Sequence, residues 1–81
     1  MKTVHYSNIF DRKRNRQSLV VADHIFDDIV KKCNGHFGFG GEDKNSFIVD
    51  VDHWNRCLVL INDGIKSGHY PYVKKETLFN L

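Results

Sequence analysis

A single proline stands in a chain of 81 residues, which excludes a proline-rich linker or stalk. The six glycines are too few for a low-complexity segment, and no internal repeat is present. Two cysteines, Cys33 and Cys57, do not make the dense framework that holds small secreted domains together. Free thiols and a reducing cytoplasm are therefore expected. The longest apolar runs, Leu19–Ala22 and Cys57–Ile61, are far too short to span a bilayer. Met1–Phe10 holds no signal-peptide core, so no membrane partner is expected. There is no nucleophile elbow, no phosphate-binding glycine loop and no metalloprotease helix. The expectation is a protein that is not an enzyme, with no catalytic residue and no cofactor.

The apolar fraction of 41% and the aromatic fraction of 12% are those of a chain that folds. The length allows one domain, residues 1–81. A domain of this size buries only about 60–65% of its unfolded surface, so a metal, a disulfide or a second copy would help to stabilise it. The net charge of +2 is unevenly distributed. Residues 1–22 are net +4, residues 23–63 net −4 and residues 64–81 net +2. An anionic partner for the basic ends, or pairing of the chain with itself, would use that asymmetry.

Thr3–Phe10 reads as a short strand and Asp11–Gln17 as a polar loop. From Ser18 to Cys33, Leu19, Ala22, Phe26, Ile29, Val30 and Cys33 recur at helical spacing. Ser18 caps the helix, or else Ser18–Ala22 is a strand and Asp23 is the cap, since Val20-Val21 is a β-branched pair. Asn34-Gly35 reads as its stop and His36–Asn45 as a glycine-rich loop. In Ser46–Asp52, Phe47, Val49 and Val51 alternate with Asp50 and Asp52, as in a half-buried strand. His53–Arg56 reads as a turn and Cys57–Ile61 as a central strand. Asp63-Gly64 reads as a two-residue hairpin turn, Ile65–Val73 as the return strand, and Thr77–Leu81 as a last strand.

This order predicts an α+β fold, with one helix packed on a small antiparallel sheet of four to five strands. The meander from Ser46 to Leu81 resembles the second half of an SH3-like or Sm-like partial barrel. Phe37-Gly38-Phe39 resembles one part of the RNA-recognition-motif signature, but the residues around it do not follow that pattern, and the later helix of that fold is not expected.

Four cations in five residues, Arg12, Lys13, Arg14 and Arg16, are suited to phosphates, and Lys74 and Lys75 would extend their surface. Phe37, Phe39 and Trp54 are candidates for stacking on unpaired bases. Cys33, His36, His53 and Cys57 carry zinc-ligand chemistry at irregular spacing, and whether they bind zinc is open at this point. Alternation puts Asp50 and Asp52 on one strand face, away from the apolar one, where with His53 they are candidates for a shared cation or an acid–base pair with His5, His24 or His69, or else simply face water. Tyr70 and Tyr72 on an edge strand favour a homodimer over a monomer. The first expectation is a small regulator or inhibitor that binds nucleic acid, RNA before duplex DNA. The alternative is a protein-binding inhibitor acting through an acidic and aromatic surface, in the style of phage-encoded antagonists of a host enzyme or toxin.

Overall fold

The computed structural model describes residues 1–6 and 17–81. Its regular elements are β1 (Lys2–Tyr6), β2 (Gln17–Val21), α1 (Asp23–Lys32), β3 (Gly35–Gly38), β4 (Asp43–Val49) and α2 (Trp54–Ser67). The sheet order is β2-β1-β4-β3. β1 pairs antiparallel with β2 and parallel with β4, and β3 pairs antiparallel with β4. A parallel pair needs a long crossover, and β2, α1 and β3 supply it. The class is α+β with four strands, as expected, but the sheet is mixed and open rather than a meander curling into a barrel.

Strand alternation sorts the side chains between two faces. Val4 lies opposite Leu19 and Phe47, Lys2 opposite Val21, and Phe37 opposite Phe47. On this face Val4, Val21, Phe47 and Val49 join Ile25, Phe26 and Ile29 of α1, and Cys57, Leu58, Ile61 and Ile65 of α2, in one buried cluster. Both helices therefore cover the same side of the sheet.

Of the two starts considered for α1, the strand before a later start holds, but the cap falls one residue earlier, on Ala22 rather than Asp23. Val20-Val21 stays extended beside β1, and the helix opens at Asp23, whose carboxylate in the first turn suits the helix dipole. Ala22 occupies the N-cap without a side-chain hydrogen bond. Gly35 does not end α1 as expected but begins β3. A Cβ there would run into the Ile48 carbonyl oxygen and the Phe47 ring. The segment read as a loop, His36–Asn45, is the body of the β3–β4 hairpin. β4 buries Phe47 and Val49 as alternation requires, yet it ends at Val49, leaving Asp50, Val51 and Asp52 exposed beyond it.

The largest correction is at Trp54–Ser67, which is one helix where a turn, a strand and a hairpin were expected. Trp54, Cys57, Leu58, Ile61 and Ile65 are buried at three- and four-residue spacing, so the period is helical. The short window Cys57–Ile61 hid that period because Val59 and Leu60 are also apolar. Asp63-Gly64 lies inside the helix, where the Tyr70 ring packs directly against the Gly64 backbone. The true stop is Gly68, at φ 79°, followed by Pro71. Thr77–Leu81 is not a strand. Asn62, the buried polar residue of α2, pins it instead: its Nδ2 donates to the Phe79 carbonyl at 2.7 Å and its Oδ1 accepts from the Phe79 N–H at 2.8 Å. Tyr70 and Tyr72 share no strand face, being 2% and 88% exposed respectively. No described helix is long and apolar enough to cross a membrane.

Candidate functional site

The sheet face opposite the helices is open among the described residues. Register aligns four of its side chains in a row across all four strands: Ser18, His5, Ile48 and His36. His5 Nδ1 and Ser18 Oγ are hydrogen-bonded at 2.9 Å. The next row holds Val20, Thr3 and Ser46. Over the β3–β4 half lies a cleft of about 780 Å³. Ile48, Val51 and Phe39 give it apolar surface, His5 and His36 stand in it, and Asp43, Asp50 and Asp52 supply its charge. No lysine or arginine is among its described lining residues.

Phe39 stands at the turn between β3 and β4. It is 82% exposed and adopts φ 53°, followed by Gly40 at 62° and Gly41 at 95°. The left-handed region is unfavourable for a bulky side chain, and an exposed phenyl ring forgoes its burial energy. The chain accepts both at one residue, on the rim of the cleft.

The described members of the set expected to bind nucleic acid are not brought together. Arg12, Lys13, Arg14 and Arg16 lie outside the described residues, between Tyr6 and Gln17, which pair with each other in the sheet. Phe37 points to the helical side, edge-to-face with Phe47 and with the Lys44 ammonium 4.5 Å above its ring. The stacking role expected of Trp54 does not hold. Its side chain is only 7% exposed, Tyr6 stacks on its ring with centroids 5.4 Å apart, and its Nε1–H donates to Gln17 Oε1 at 3.1 Å. Lys74 and Lys75 are exposed beside a one-turn 3₁₀ segment that packs on α2, on the helical side. Of the described members of that set, Phe39 alone is placed on the open face. His5, Ser18 and His36 were missed as a group, because only the strand register aligns them.

Cys33 and Cys57 are buried as neighbours between α1 and α2. Burial raises both thiols, Cys57 to about 12, which keeps them protonated and inert. His36 lies on the opposite face, so these residues do not converge, and no three His, Cys, Asp or Glu side chains form a metal-binding group among the described residues. Asp50 and Asp52 follow β4 rather than sharing a strand face, and the Asp50 N–H donates to the Asn34 carbonyl at 2.9 Å.

No family model, no curated protein and no solved structure matches the chain. The site must be read from its own chemistry.

On the helical side, Tyr70 Oη–H donates to Asp28 Oδ2 at 2.9 Å, and His69 Nε2–H donates to the same oxygen at 3.1 Å. Burial opposes ionisation of Asp28, but these hydrogen bonds, with the charges of Lys32 and His69, outweigh it and hold the carboxyl below its usual value. Tyr70 is raised by burial and by that carboxylate, so it remains a protonated donor. The network ties the segment after α2 to α1.

Proposed function

We propose that this chain is a non-enzymatic protein-binding module that holds an extended, basic segment of its partner on the open sheet face. The observation that carries the reading is Phe39, left-handed and exposed on the rim of the acidic cleft. Backbone strain combined with an unburied aromatic ring is the mark of an anchor waiting for a partner. Apolar side chains of the segment would lie against Ile48 and Val51, and its lysines or arginines against Asp43, Asp50 and Asp52. Inhibition of the partner would follow from occupying that segment.

The carboxylates weigh against phosphates in the same cleft. A phosphate placed 4 Å from one carboxylate is opposed by about 1 kcal/mol in water and about 4 kcal/mol near a protein surface. RNA is the second reading, supported by the four cations between Tyr6 and Gln17. The test titrates the protein, by fluorescence anisotropy, against labelled peptides that alternate lysine with valine and against labelled single-stranded oligouridylate. Peptide binding that Phe39→Ala and the Asp50→Asn/Asp52→Asn pair each weaken supports the proposal. Oligouridylate binding that is indifferent to Phe39→Ala and lost when Arg12, Lys13, Arg14 and Arg16 are all alanine overturns it in favour of RNA. Binding of neither probe also overturns it.

A further inference from the structure

The sheet has two edges, and they are built differently. β3 is four residues long, has glycine at both ends, and breaks register between Phe37 and Gly38. Shortness and irregular register are devices that keep a strand edge from pairing. β2 has none of these. Gln17–Val21 contains no charge, no proline and no glycine, and its register with β1 is regular over five consecutive pairs. Its outer edge pairs with no strand among the described residues. Val20, on the open face at that edge, is 62% exposed.

The geometry points to self-association through β2: two copies pair these strands antiparallel about a two-fold axis normal to the sheet, with Val20 opposite Val20 of the second copy. An axis in that direction keeps both helical layers on one side and both open faces on the other. Directly opposite residues then share a face. Val20 meets its own copy on the open face, and Leu19 meets Val21 on the helical face, twice by symmetry. Each such apolar cross-strand pair contributes about 0.2–1 kcal/mol, beyond the outward N–H and C=O groups that gain partners. A two-fold contact of this kind is self-complementary and closes at two copies. The second copy is the occupant that matches this edge without further assumption, because the uncharged β-branched row is repeated on it. The result is one eight-stranded sheet, β3-β4-β1-β2-β2-β1-β4-β3, with two acidic clefts facing the same way. The inference stands apart from the peptide-binding reading. If both hold, a partner with two basic segments gains from bivalency.

With Val20 opposite Val20, only Leu19, Val20 and Val21 of each β2 overlap, far less than a standard stable interface, so association is weak and depends on concentration. The experiment is light scattering coupled to size exclusion on the full chain, from about 10 µM to about 1 mM, the range in which such interfaces half-associate. The expected result is a mass rising from 9.5 kDa towards twice that value. Val20→Lys should abolish the rise while leaving the fold intact by circular dichroism, since the side chain is already exposed. A second variant fixes the register. Val20→Cys, with both natural thiols buried, should form an interchain disulfide with oxidised glutathione about tenfold faster than Ser18→Cys, because only the opposed pair has disulfide geometry. A mass that stays at 9.5 kDa throughout overturns the inference. So does undiminished association of Val20→Lys, or equal crosslinking of the two cysteine variants.

Discussion

Replacing Phe39 by asparagine should make the protein more stable and its partner binding weaker. Phe39 is 82% exposed, so about a fifth of its side chain is covered. Full burial of a phenylalanine contributes up to about 3 kcal/mol, so the substitution forfeits about 0.5 kcal/mol of burial. Against this, a non-glycine residue in the left-handed region costs about 1–2 kcal/mol, most of which asparagine avoids. Asparagine also escapes the extra unfolded-state entropy that glycine would add. The balance is a gain of about 0.5–1 kcal/mol, or a rise in Tm of about 2–8 °C for a domain of this size. Urea titration followed by fluorescence measures it well, because Trp54 is the single tryptophan and is stacked on Tyr6 in the core. In the binding assay the same variant should lose about 2 kcal/mol, roughly 30-fold in affinity, as an anchor does on truncation. The opposite signs are the content of the prediction. If Phe39→Asn destabilises the fold by more than about 1 kcal/mol, the ring is a packing element and the argument from strain fails.

Three further outcomes follow from the helical side. Gly64→Ala should destabilise by about 1–3 kcal/mol in urea titration despite alanine's higher helix propensity, because the new methyl must displace the buried Tyr70 ring. Asn62→Ala should cost about 1–3 kcal/mol by breaking both hydrogen bonds to Phe79, and limited proteolysis should then cleave after Val73 sooner than in the native chain. The Asp28 carboxyl is lowered in the folded state, so on acidification the unfolded chain binds the proton first. Its contribution is therefore complete above the usual carboxylate value of 3.8 and is lost as pH falls through the lower folded value. Tyr70→Phe, which removes one of the bonds that lower it, should cost stability at pH 7, with the difference from the native protein shrinking in thermal scans towards pH 2; an undiminished difference there would contradict the linkage.

Much of the fold was legible where one element carries one period. α1 is visible from Phe26, Ile29 and Cys33, and β4 from Phe47 and Val49. The misreadings arose where two periods fit the same letters. Cys57–Ile61 is apolar throughout, so a five-residue window cannot separate a central strand from a helix; widening it to Trp54 and Ile65 restores the helical spacing. Asp63-Gly64 is a turn signal by local propensity, but the need for Tyr70 to lie against a backbone without a side chain decided its place. The candidate site was less legible. Trp54 and Phe37 look like exposed aromatics in polar surroundings, yet the tertiary fold turns both inward. His5, Ser18 and His36 are spread over 32 positions and meet only because β1 lies beside both β2 and β4, a pairing that local sequence does not encode.

The parallel pairing of β1 with β4 also constrains how the chain can fold as it is made. Thr3 and Ser46 are 43 positions apart, and the edge of β1 away from β2 has its strand partner on β4. During synthesis β1 emerges well before β4 and must wait with Val4 unburied on that side. The hairpins β1–β2 and β3–β4 join nearby residues and close cheaply, whereas docking one on the other requires the larger loop to close first. The centre of the sheet is thus the last part to assemble, and an interrupted chain that ends before Ser46 would leave the edge of β1 away from β2 unpaired, open to pairing with its neighbours.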